Sequence, residues 1–295
     1  VFDFLLATLT LAGIYGLMAL GLNLQVGVAG LLNFGHITFA GIGAYATGIA
    51  VQAGNSPMIG AAGGVLLAMA LGWGVARLGR QLAADYWAIA MLAIAEILRT
   101  IAINENWLTG GANGISAIPS LFEGLPRPWP SWAFFTTVWG LVAVLAVLAK
   151  RLADGRLGRA LRLMREEPQL AMCLGYNLQA LKSRAIMTGA AVTALAGSLY
   201  AHYMSFAGPD YMLASETFLL WTMLLIGGLG NVVGVLVGVV LVQMAYALVP
   251  FAKDYWPLSS DLLGALRLGM IGTILLVCLL WRSQGLIPEK LRHIP

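Results

Sequence analysis

Charge is the scarcest thing in this sequence. Asp, Glu, Lys and Arg make up 10% of its 295 residues, against 60% hydrophobic ones and a mean hydropathy of +0.84. Soluble domains carry roughly 25% charged residues. This chain lacks the polar groups to cover a water-facing surface, so lipid is its expected solvent. Cysteine is nearly absent: Cys173 lies in a basic stretch and Cys278 in an apolar run, which excludes a disulfide framework. Its three histidines, His36, His202 and His293, are scattered. With no cysteine or carboxylate grouped beside them, neither a metal site nor the nucleophile and base of an enzyme is expected. There is also no G-x-x-x-x-G-K run followed by Ser or Thr, so the chain brings no nucleotide loop of its own. The longest polar stretches, about 150–183 and 104–131, are too short for a soluble domain.

What the chain does have is apolar runs. Nine are expected to span a membrane, near 4–25, 36–53, 58–78, 86–103, 132–149, 184–206, 214–230, 232–250 and 262–281. A span takes about 20 residues, so roughly eight to ten fit the length. Lipid cannot satisfy free backbone groups, and the alternation of an outer-membrane barrel is absent. The expected fold is an all-α integral membrane protein, a polytopic helix bundle interrupted by glycine-rich breaks. It forms a single domain over 1–295 with one large loop at 150–183. The first run lacks a basic flank and a small-residue cleavage site, so it reads as a span, not a signal peptide.

Net charge is +4. Its basic residues fall between apolar runs, which points to topology and not to nucleic acid. Arg77 and Arg80 follow the third run, and Lys150, Arg151, Arg156, Arg159, Arg162, Arg165, Lys182 and Arg184 crowd the large loop. Arg282, Lys290 and Arg292 follow the last run. If the runs alternate across the membrane, these clusters share one side, the cytoplasm, together with the C-terminus. On the other side only Arg127 and Lys253 stand among acids that include Glu105, Asp210, Glu216 and Asp254.

Five segments invite a functional reading. A glycine-rich break carries Gly27, Gly30, Asn33, Gly35 and His36, with Tyr45 beyond it, and a second carries Gly227, Gly228, Gly230 and Gly234. Each break either lines a pathway or lets helices pack closely through small residues. Glu96 and Arg99 lie three apart inside the fourth run, placed to pair on one face as a structural ion pair or on a wet cavity. Thr109, Gly110, Gly111 and Asn113 form a turn-rich loop at the outer mouth, where a delivery protein could dock. In the basic loop, Glu166 and Glu167 precede Pro168, and Gly175 follows Leu174, which marks both ends of a short helix. Its Leu170, Ala171 and Leu174 would form one apolar face, for a groove on a partner or for the lipid surface.

Together these residues resemble a known family, the permeases of branched-chain amino-acid ABC importers, and within it the M-type of the two permease types. Gly21-Leu22-Asn23-Leu24 leading to Gly30-Leu31-Leu32-Asn33-Phe34-Gly35-His36 resembles its N-terminal signature. Glu96 with Arg99, then Thr109-Gly110-Gly111 and Asn113-Gly114-Ile115 with Pro119, resemble its central one. Gly158-Arg159, Arg165-Glu166-Glu167 and Leu174-Gly175 resemble its coupling loop, followed by Gly227-Gly228-Leu229-Gly230 and by Arg282 with Gln284-Gly285-Leu286. Two positions depart: Leu170-Ala171 replaces a frequent Ala-Ala, and Ser283 replaces a usual proline.

The resemblance implies a bacterial inner-membrane permease that pairs with a second, homologous permease. A solute-binding protein would deliver branched-chain amino acids, or a similar small polar solute such as urea or a short amide. Two cytoplasmic ATPase subunits, holding ATP and Mg, would receive the helix at 166–175. An ion-coupled transporter working alone is the alternative, and it would need several ionisable groups at the midplane. The chain offers chiefly Glu96, Arg99 and Arg267.

Overall fold

The computed structural model describes residues 2–79, 82, 84–126, 128–251, 260–281 and 284–289. Arg80, Arg127, Lys253, Asp254, Arg282, Ser283, Lys290 and Arg292, used above for orientation or resemblance, lie outside them. Helix dominates, and each expected span falls on one. These are α1 (Phe2–Asn23), α2 (Ile37–Gln52), α3 (Pro57–Leu78), α4 (Ala84–Asn104), α6 (Trp129–Asp154), α9 (Leu178–Met204), α10 (Ala214–Gly227), α11 (Val232–Leu248) and α12 (Ser260–Trp281). The short α5 (Asn106–Thr109) follows α4, and α7 (Arg156–Glu166) and α8 (Pro168–Cys173) form the large loop. Among the described residues the strands are two-residue pieces, β1 (Ile115–Ser116) and β2 (Phe206–Ala207), paired antiparallel with Ile115 opposite Ala207.

Stretches 2–28, 57–78, 86–104 and 129–154 are long and apolar enough to cross a membrane by themselves. By contrast α2, α10 and α11 have only 16, 14 and 17 residues. Non-helical backbone must complete those crossings, and it is tolerated at membrane depth only inside protein or beside water. The first break meets that condition: Ala29, Leu31, Asn33, Gly35 and His36 are all buried.

α1, α2 and α9 form the interior of the molecule, with α3 packed on α2 and α9 and with α10 and α11 against α1. Small residues bring α2 and α9 into backbone contact. A Cβ at Gly43 would collide with the Ala194 carbonyl, and one at Gly197 with the Ala40 carbonyl. Where lipid removes the hydrophobic drive between helices, such close packing is what holds them. Caps set helix starts: Asn231 Oδ1 accepts from the Val233 and Gly234 amides at 3.0 and 3.2 Å and opens α11 just after the second break.

Candidate functional site

The last turn of α1 widens into a π-helix over Leu24–Val28, which points Gln25 into the protein. Asn33 donates to Gln25 Oε1 at 2.7 Å, and His36 Nδ1 lies 3.2 Å from the same oxygen. His36 Nε2 sits 2.7 Å from Thr193 Oγ1 on α9 and 3.2 Å from the Met18 carbonyl. Gln25 donates to the Ile186 carbonyl, and Trp221 on α10 donates to the Asn33 carbonyl, both at 3.2 Å. Gln25 and His36 are 0% exposed. This is a closed polar node joining α1, α2, α9 and α10. Asn33 and His36, which the sequence leaves as either pathway lining or close packing, both lie within it. Tyr45 is also buried, 5% exposed, and its hydroxyl has no partner among the described residues.

The two glycine-rich breaks meet. Asn23 Oδ1 accepts from the Gly230 amide at 2.9 Å, and a Cβ at Gly27 would strike Gly230. Residues 284–289 then lie along the second break. The Leu286 and Ile287 amides donate to the Ile226 and Gly227 carbonyls at 2.8 and 3.0 Å. Gly228 takes φ +113°, and its Cα faces Gly285, so side chains have no room there. At the end of this segment Glu289 bridges to α7: Arg162 Nε lies 2.6 Å from Oε1 and Arg165 Nη1 3.1 Å from Oε2. Arg165 also donates to the Gly27 carbonyl. One carboxylate and one guanidinium therefore tie α7 to both breaks.

α7 presents Gly158, Ala160, Leu161 and Met164 inward and its arginines along the edge. α8 follows after Glu167, with Pro168 at its first position and Gly175 beyond its end at φ +83°. The expected apolar face divides. Ala171 is fully buried, while Leu170, Met172 and Leu174 are 49, 55 and 62% exposed. The short helix turns Ala171 onto the fold and leaves the larger side chains outside. Glu166 pairs with Arg165 at 2.9 Å, and Glu167 makes no side-chain cap. Pro168 shares a cavity of about 200 Å³ with Gly30, Leu31 and Leu32, so α8 abuts the first break.

At the opposite end Thr109 Oγ1 donates to the Ala102 and Glu105 carbonyls at 2.7 and 2.8 Å and accepts from the Gly111 amide. Gly110, Gly111 and Gly114 all have positive φ, as tight turns demand. The loop ends in β1, and His202 lies 2.7 Å from the Pro119 carbonyl beside it. Thr109 and Gly111 are buried, and Asn113 is exposed at the tip.

Glu96 and Arg99 pair at 2.8 Å as their spacing predicts, with the glutamate side chain 57% exposed on α4. A cavity of about 230 Å³, which the sequence did not suggest, opens between α1, α2, α9 and α10. Tyr15, Tyr200, Tyr211, Asp210 and Glu216 line it, with Met18, Ile37, Ala40 and Leu213. Tyr15 donates to Glu216 Oε2 at 2.7 Å.

The model of the permease components of branched-chain amino acid transport systems matches residues 4–279. The chain belongs to that family. It is 31% identical to the high-affinity branched-chain amino acid permease protein LivM of Escherichia coli K12, across 96% of this chain and 69% of that one. The probable LivM of Methanocaldococcus jannaschii is 28% identical over 94% of this chain and 91% of its own. LivH of Salmonella typhimurium is 28% identical over 81% and 82%. No solved structure matches. The chain is therefore a LivM-like membrane permease component and not an enzyme. In this permease the N-terminal signature builds the polar node, the central one the Thr109 turn, and the coupling-loop signature α7 and α8. Glu289, its pairing with Arg162 and the tyrosine cavity escaped the sequence reading.

Proposed function

We propose that the permease moves branched-chain amino acids inward across a bacterial inner membrane, as one half of an ABC importer. The observation that carries the reading is α8. It holds Leu170, Met172 and Leu174 bare beside an arginine-rich α7, at the end of the molecule where the positive-inside rule puts the cytoplasm. An apolar knob of this kind fits a groove on another protein. The occupants we assign are two ATPase subunits carrying ATP and Mg, which supply the energy for transport. The described C-terminal segment, tied to α7 by Glu289, lies on this cytoplasmic side. The Thr109 turn then lies outside, with Asn113 facing a solute-binding protein, and a second, homologous permease completes the pathway. Family membership leaves the ion-coupled alternative without support.

The test is the double substitution Leu170→Asp with Leu174→Asp in the co-expressed transporter. Expected are loss of ATPase subunits on co-purification and loss of ATP-driven leucine uptake in proteoliposomes, with the permease still in the membrane. Unchanged assembly and uptake would falsify the coupling assignment.

A further inference from the structure

The cavity between α1, α2, α9 and α10 has a composition that packing alone does not explain. Glu216 stands in the first turn of α10 and Asp210 in the turn before it, where helix N-termini favour carboxylates. That accounts for acids at these positions and not for what surrounds them. Three tyrosines collar the carboxylates. The Tyr15 and Tyr200 rings meet edge to face at 6.2 Å, and Tyr200 and Tyr211 lie tilted at 4.6 Å. Glu216 has a hydrogen bond from Tyr15 but no ion-pair partner among the described residues, and no Lys, Arg or His lines the cavity. Carboxylates beside aromatic faces, with no internal cation, form a receptor for a small ammonium group. Met18, Ile37 and Leu213 add apolar lining.

We infer that this cavity is a solute subsite of the permease that grips the amino end of an aliphatic amino acid. The ammonium lies against Glu216 and Asp210 among the tyrosine rings, and the branched side chain lies on the apolar lining. No basic residue among the described ones lines the cavity to meet the carboxylate, so the site reads the ammonium and the alkyl chain and ignores the acid. It would reject urea and amides, which carry no ammonium. The inference rests on the transport reading above and sharpens its substrate class.

The experiment uses the whole permease–ATPase complex in nanodiscs without the binding protein, so that the permease alone selects. Binding of radiolabelled leucine is measured with three competitors. Displacement is expected by 3-methylbutylamine, which keeps ammonium and branch, and not by 4-methylpentanoate or urea. Glu216→Gln should weaken leucine binding by about tenfold or more, the loss of one charge-assisted contact. If that variant fails to assemble, Asp210→Asn, at the exposed rim, carries the test with about a threefold loss expected. Absence of leucine binding, displacement by 4-methylpentanoate, or unchanged affinity in an assembled variant each overturns the subsite. Leucine uptake with binding protein and ATP is measured in parallel. Uptake without cavity binding removes the subsite and leaves the transport reading, whereas amine binding without ATP-driven uptake does the reverse.

Discussion

α1 and α4 are both apolar spans, yet they occupy opposite environments. Of their most apolar stretches, 72% is buried in α1 and 28% in α4. Each carries polar groups at membrane depth, and the surroundings decide what those groups do. On α1 and its π-helix, Tyr15, Asn23 and Gln25 all bond to distant parts of the chain. On α4, Glu96 and Arg99 bond to each other, with the glutamate 57% exposed and the arginine 21%. A buried polar group ties its own fold together. An exposed charged pair marks a face that hydrocarbon cannot cover cheaply. The comparison predicts that substitutions on the α1 side destabilise the isolated chain and that those on α4 do not.

The largest effect belongs to backbone contact in the interior. Gly197→Leu would drive a side chain into the Ala40 carbonyl and push α2 from α9. A cost of about 3 kcal/mol or more is expected, since backbone cannot yield as a side chain can. Size-exclusion chromatography of the detergent-solubilised variant should show no monodisperse peak. Glu289→Ala comes next, because it removes the carboxylate that Arg162 pairs with and leaves Arg165 with Glu166 alone. The three side chains are 15–23% exposed, so solvent screens part of the effect and about 2 kcal/mol is expected. Thermal unfolding should show the loss, and adding Arg162→Ala should return part of it, as coupled partners do.

These two predictions also mark what the sequence could and could not tell. Spans were legible because lipid forces every crossing into a long apolar run, and each expected run lies on a helix. α7 was hidden by its own charge. Leu161 and Met164 repeat at helical spacing, but Arg156, Arg159, Arg162 and Arg165 made the stretch read as a basic loop. Glu289 lies 127 residues from Arg162, and Tyr15 lies 201 from Glu216, separations at which spacing carries no information. His36 lacked an ionisable neighbour in sequence. Its partners proved neutral, and Gln25, 11 residues earlier, was the available clue.

His36→Ala tests that node. It leaves Gln25 and Thr193 each short of a partner inside a closed interior, and roughly 1–2 kcal/mol is expected. The useful contrast is His36→Gln, which restores one polar contact and should recover part of the thermal stability without adding charge. If transport in proteoliposomes falls only as far as stability does, the node is structural and His36 carries nothing through the membrane. A variant stable as the parent but inactive would place His36 on the pathway after all.

The smallest effect on the isolated chain is expected at Glu96. An exposed pair contributes little, so Glu96→Gln should change thermal stability in detergent by less than about 0.5 kcal/mol. In the assembled transporter the same change leaves Arg99 without its counter-charge at membrane depth, where an unpaired charge costs far more. Uptake should therefore fall while the solubilised chain remains as stable as before. The reciprocal swap, Glu96→Arg with Arg99→Glu, restores the pair and should restore uptake. If Glu96→Gln instead destabilised the isolated chain as much as His36→Ala, the contrast between a bonded interior and a bare rim would be lost, and α4 would have to be packed more tightly than its exposure shows.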